Sequence, residues 1–99
     1  MPFRVRYSRG SRDDIDRLFD FWLEHDDAAA ERMIDAIEQA VTLLQTFPFS
    51  CRKASDESPF LRELLIPFGA AGYVALFEIE DSGTVTILAV RHQREDDYH

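Results

Sequence analysis

"LRELLIPFGAAGYVALFEIED", residues 61–81, decides how the chain is read. Branched and aromatic residues fill "FLRELLIPF" and "GYVALFEI", and "GAAG" between them breaks any helical period, so the two runs predict neighbouring strands joined by a turn. Downstream, "EDSG" is a second turn signal and "TVTILAV" (84–90) a third strand-like run. The three together predict an antiparallel meander.

Upstream, "FRVRY" (3–7) alternates Phe3, Val5 and Tyr7 with Arg4 and Arg6, the period-two signature of a half-buried strand. In "SRDDIDRLFDFWLEHD" (11–26), Ser11 stands three residues before Asp14, a capping-box-like start with acids in the first turn. Ile15, Leu18, Phe19, Trp22 and Leu23 then recur at the spacing of one helical face. Asp26 and Asp27 can cap a second helix, whose stripe is Ala30, Met33, Ile34, Ile37, Val41 and Leu44. Pro48 ends that helix by disfavouring helical geometry at Phe47. So short a link predicts an antiparallel helical hairpin. "PFSCRKASDESP" (48–59) reads as a loop. The expected architecture is α+β: strand, helical hairpin, then a three-stranded meander, with the helices on one face of a mainly antiparallel sheet.

At 99 residues, with 45% apolar and 12% aromatic side chains, the chain is read as a single domain, residues 1–99, with enough material for one core. No uninterrupted apolar run reaches the length of a membrane span, and "MPFRVRYSRG" lacks a signal-peptide core, so a cytoplasmic protein without membrane association is expected. The single Cys51 excludes an internal disulfide and a multi-cysteine zinc site. Nineteen acids against eleven bases give a net charge of -8, which repels a phosphate backbone, so direct DNA binding is not expected. Ten of the acids fall between Asp13 and Glu38.

Each reactive residue type has a bland reading beside a sharp one. His92, Asp96, Asp97 and His99 are metal-ligand types, but converging donors with fixed outer partners are rarely supplied by a chain end. His25 suits a helix C-terminus as a cation. Arg52 and Lys53 could activate the Cys51 thiol, yet no His partner is nearby and an inert cysteine is the simpler reading. No Gly-rich phosphate loop or nucleophile elbow is present, and no cofactor is called for. The acidic helical face reads as solvated. Phe21 lies off the apolar stripe and, if exposed, hints at an interface. Arg4 and Arg6 should leave the sheet opposite the core, where Arg62, Arg91 and Arg94 could join them as a basic patch.

The order strand, helical hairpin, three strands, with Gly72-Tyr73 entering an aromatic strand and a final strand ending in Ala89-Val90-Arg91-His92, resembles the RelE/ParE superfamily of type II toxin–antitoxin toxins. The resemblance covers essentially the whole chain. It implies a small toxin neutralised by a cognate antitoxin. It also implies one of two activities: ribosome-dependent mRNA cleavage in RelE-like members, or inhibition of DNA gyrase by binding in ParE-like members.

Cleavage at a 2′-hydroxyl needs a proton acceptor, cations for the crowded phosphorane and a donor for the leaving oxygen. The resemblance implies that RelE-like ribonucleases place bases on the strand before the Gly-Tyr turn and an Arg directly after that Tyr. Here the first stretch is "LLIPFG" and the residue after Tyr73 is Val74. Losing such groups costs about 10²- to 10³-fold each. Arg91, His92 and Tyr98 survive as weak catalytic candidates. The expectation is therefore a ParE-like, non-enzymatic inhibitor with gyrase as target; a ribonuclease using Arg91, His92 and Tyr98 is the alternative. Contact residues for target or antitoxin are expected among Arg4, Arg62, Tyr73, Arg91, His92, Arg94 and Tyr98, and "RHQREDDYH" (91–99) reads as a contact segment.

Overall fold

The computed structural model describes residues 2–93. Strand β1 (Arg4–Tyr7) leads into helices α1 (Arg9–His25) and α2 (Asp27–Thr46), and four further strands follow: β2 (Arg52–Ser55), β3 (Ser58–Ile66), β4 (Tyr73–Asp81) and β5 (Thr84–His92). They form one sheet in the order β1-β5-β4-β3-β2. The four later strands pair antiparallel in succession, while β1 pairs parallel with β5. The fold is α+β, with the helical hairpin against one face of the sheet.

The alternation in β1 and β4 sets which face is dry. Val5 and Tyr7 stand opposite Val85 and Ile87, and Ala75, Phe77 and Ile79 stand opposite Val90, Ile87 and Val85. These side chains join Met33, Ile37 and Leu44 of α2 and Leu18 of α1 in one core. Burial of that apolar area supplies the main favourable term in folding. On the opposite face, Arg4 and Arg6 share register with Thr84 and Thr86.

Helix α1 starts earlier than its spacing suggested. Ser8, not Ser11, is the N-cap: its Oγ accepts from the Ser11 backbone N–H at 3.1 Å. Ser11 lies inside the first turn, fully buried, and donates its hydroxyl to Ser8 O at 2.9 Å. No acid occupies the first turn of α1. The reason is tertiary, because the Ser8 N–H is held by Ile87 O at 2.9 Å and the helix must begin where β1 leaves β5. Asp26 behaves as its position predicts, its carboxylate accepting from Ala28 and Ala29 N–H at the start of α2. It is the single residue between the helices, which makes the hairpin tight.

The region read as a loop holds structure as well. After a 3-10 turn at Pro48–Ser50, residues Arg52–Ser55 form β2, an edge strand on β3. The meander therefore has four strands. A short, polar edge strand carries little periodic signal, and pairing makes it a strand rather than its own sequence. Arg62 of β3 secures the junction: it donates to Pro59 O at 2.7 Å, Cys51 O at 2.8 Å and Phe49 O at 3.3 Å.

Two local devices position the end of the sheet where β5 stops. Gly72 precedes β4 with φ of 92°, and a Cβ there would collide with Ile66 O. The turn into Tyr73 thus requires glycine. A bulge between Leu76 and Phe77 leaves Leu88 of β5 without an opposite residue, and Ser8 Oγ donates to its carbonyl at 3.1 Å.

Candidate recognition site

Beyond Ile87, β5 has no strand on its β1 side among the described residues, and α1 lies along that edge. The backbone groups left open there need partners. Asp14 supplies one, its Oδ2 accepting from Val90 N–H at 2.9 Å. The same carboxylate oxygen meets Arg91 Nη1 at 2.5 Å, with both side chains largely buried at 15% and 14% exposure. Arg91 also donates to Val90 O at 3.2 Å. A helix side chain thus completes a strand edge and neutralises the cation that the strand carries.

About two turns further along α1, Trp22 donates its indole N–H to the Tyr73 hydroxyl at 2.7 Å. Aromatic rings collect around this bond. Phe68, in the turn that Gly72 closes, sits 5.7 Å from Trp22 and 5.6 Å from Tyr73 between ring centroids. His92, opposite Tyr73 in register, presents an edge to it at 5.9 Å. Phe21 is half exposed, meets Trp22 edge to face at 5.2 Å and stacks on His25 at 4.3 Å. Two adjoining cavities share Trp22, Tyr73 and His92 as walls. One, of about 450 Å³, also touches Arg17, Leu18 and Phe21; the other, of about 190 Å³, is bounded by Phe68 and the 69–71 turn.

Tyr73 is almost wholly buried, and burial raises its phenol above the ordinary value despite the opposing indole hydrogen bond. Basic groups do not surround it on β3 or β4. The face of those strands away from the helices carries Leu61, Glu63 and Leu65 opposite Glu78, Leu76 and Val74. Among the described residues no three His, Cys, Asp or Glu side chains gather as a metal site.

The expected contact residues are dispersed. Arg4 and Arg6 are exposed on β1. Arg62 lies three strands away, a separation of about 14 Å at the usual strand spacing, and shares register with core-facing Phe77. Its guanidinium is turned onto carbonyls and over the Phe49 ring, 5.4 Å from its centroid. Arg91 is tied to Asp14, so the possible basic patch of Arg4, Arg6, Arg62 and Arg91 does not assemble. Arg94 and Tyr98, like Asp96, Asp97 and His99, lie outside the described residues. Tyr73 and His92 do come together.

Three features of this region escaped the sequence reading. The spacing alone places Trp22 in the core stripe, Phe68 in a strand and Asp14 in a capping box. The one usable signal was the indole N–H, which needs an acceptor when a Trp is buried. Cys51 follows its bland reading: it is buried, and desolvation raises its thiol above the usual value although Arg62 and Ser50 oppose the shift.

A second apolar groove, of about 340 Å³, runs between α2 and β3 and is lined by Ala36, Ala40, Leu43, Leu64, Leu65 and Pro67. Leu43 and Leu65 are 41% and 47% exposed there. Pairing with β2 reaches only to Glu63, so among the described residues the outer edge of β3 from Leu64 to Ile66 has no strand partner. Apolar surface beside an open strand edge is suited to peptide capture.

Comparison with known proteins agrees with this architecture. Residues 5–97 match the family described as ParE toxin of type II toxin-antitoxin system, parDE. The chain is 32% identical over 95 residues to Toxin RelE1 of Caulobacter vibrioides, spanning 96% of this chain and 98% of that protein. It superposes on a structure described as a chromosomal ParDE TA system from P. aeruginosa with a TM-score of 0.68, covering 91% of this chain and 95% of the other at 18% identity. That likeness concerns the fold. With a family match over nearly its whole length and a relative of the same kind, the chain belongs to the RelE/ParE superfamily of type II toxin–antitoxin toxins.

Proposed function

We propose that this toxin is of the ParE-like branch: a non-enzymatic, cytoplasmic inhibitor that acts by protein contact, with DNA gyrase as its target. The observation that carries the reading is the composition of the β3–β4 face away from the helices, where Leu61, Glu63, Leu65, Val74, Leu76 and Glu78 offer no cation to a phosphorane. Arg91, the cation nearest the end of the last strand, is held by Asp14. The net charge of -8 also opposes docking on ribosomal RNA or on DNA.

The cognate antitoxin is proposed to lay a helix or strand along the α2–β3 groove and the edge of β3 beyond its pairing with β2. The test is a supercoiling assay with purified gyrase and excess toxin. Inhibition that the antitoxin reverses is expected. Unimpaired supercoiling, together with specific mRNA cuts after induction that vanish in His92→Ala, would favour the ribonuclease reading.

A further inference from the structure

The sheet face away from the helices repeats one pattern in two neighbouring rows. Arg6 of β1, Thr86 of β5 and Glu78 of β4 share one register row, and Arg4, Thr84 and Asp81 share the next. Residues paired in register point to the same side of a sheet, so each row runs from a base on β1 through a threonine to an acid on β4. We propose that this face binds a second copy of the chain, the two sheets facing each other across a two-fold axis that runs along β5. Neither the gyrase reading nor the antitoxin groove depends on this contact.

Charge complementarity selects the second copy as occupant. An axis along β5 sets β5 over β5 and exchanges the strands on either side of it, which are β1 and β4. Arg6 of each copy then stands over Glu78 of the other, Arg4 stands over Asp81, and the threonines meet at the axis. Such a contact is isologous, one patch serving both copies. Arg6 and Glu78 carry the selection, because both are exposed and, among the described residues, neither enters an ion pair. Glu80, which takes the Thr86 hydroxyl, adds a second acid beside Glu78. The other row contributes less, since Asp81 already accepts from the Gly83 N–H at 2.8 Å and feels Arg4 within its own copy.

The distribution of acids decides which faces meet. Ten of the nineteen lie between Asp13 and Glu38, on the helical hairpin that covers the other side of the sheet. Sheets packed face to face stand about 10 Å apart, and the hairpins then lie on the outer sides of the pair, separated by more than the Debye length of about 10 Å at about 0.1 M salt. An arrangement that brought a hairpin into the contact would set like charges together. The overlap spans only three strands, so the dimer belongs with small, transient interfaces.

The test is sedimentation equilibrium of the 99-residue chain without antitoxin, at up to about 1 mM protein in about 0.1 M salt, where even a weak complex is populated. The parent should rise with concentration from monomer toward dimer mass. Arg6→Glu and Glu78→Arg should each weaken self-association about tenfold or more, because two attractive contacts become repulsive in either variant. An equimolar mixture of the two variants should regain the parent's association, since unlike charges then oppose each other at both contacts. Both positions are exposed, so thermal midpoints close to the parent's are expected and show that each variant is folded.

A parent that stays monomeric throughout overturns the proposal. Dimerisation that neither reversal weakens, or a mixture no stronger than its components, overturns the two-fold contact. Loss of the dimer in Leu43→Glu with both reversals silent moves the second copy to the α2–β3 groove and overturns it as well. Self-association is read without gyrase, so failure of this proposal and failure of the gyrase reading are seen separately.

Discussion

At the scale of single residues, Asp14 concentrates two tasks in one carboxylate, closing a strand edge and pairing a mostly buried arginine. Removing Arg91 leaves that carboxylate with the Val90 N–H alone. Breaking one partner of a buried pair costs about 3–5 kcal/mol, and the remaining hydrogen bond and residual exposure place Arg91→Ala at the lower end. Urea unfolding should show this as a lower midpoint with an unchanged slope. Arg91→Met, which fills the volume without a charge, still strands Asp14 and should rescue little. If Arg91→Ala matched the parent, the pair would be a surface contact of no consequence. Trp22 and Tyr73 illustrate the same economy, since their hydrogen bond joins residues 51 positions apart in the chain.

At the scale of elements, the turn between β3 and β4 depends on Gly72. Its φ of 92° lies where side-chain-bearing residues are strained, and the Ile66 carbonyl occupies the space of a Cβ. Gly72→Ala should therefore destabilise by about 2 kcal/mol or more and should perturb Phe68 and Tyr73 before the far end of the sheet. Trp22 fluorescence together with the thermal midpoint checks both parts of this expectation. The helices were the most legible elements. Ala30, Met33, Ile37 and Leu44 of the α2 stripe are buried as their spacing requires, and Asp26 caps where it stands. The start of α1 was less so, because Ser8 and Ser11 are both competent caps and only the bond from Ser8 N–H to Ile87 O decides between them. Strand β2 was illegible because "RKAS" has no alternation, and its conformation is imposed by pairing with β3.

At the scale of the whole molecule, burial of two tyrosines gives stability an alkaline limit. Burial is the main cause that raises Tyr7 and Tyr73 above 10.0, with Glu38 adding to the shift at Tyr7 and Arg12 opposing it. A phenol whose folded value exceeds its unfolded value holds its proton more tightly in the native state. Its contribution is complete below pH 10.0 and is lost as pH rises from there through the folded value. Thermal midpoints should thus fall above that pH, and the fall should shrink when Tyr7 and Tyr73 are both replaced by Phe. Tyrosinate absorbance that follows a single ordinary titration would contradict it.

The sequence by itself determined the fold class, the helical hairpin, the three long strands and the α2 stripe, because these rest on periodicities of 3.6 and 2 that each segment carries alone; the α1 stripe holds through Trp22, while Leu23 at its end is exposed. It also determined the absence of bases in "LLIPFG" and of an arginine after Tyr73, and hence the leaning away from ribonuclease chemistry. Tertiary structure decided which arginines are available: Arg62 turns onto the carbonyls of the β2 junction, Arg91 onto Asp14, and Arg4 stays exposed. It alone assembled the pocket of Trp22, Tyr73 and His92, since the partners of an indole N–H and of an open strand edge lie tens of residues away, beyond the reach of any local pattern.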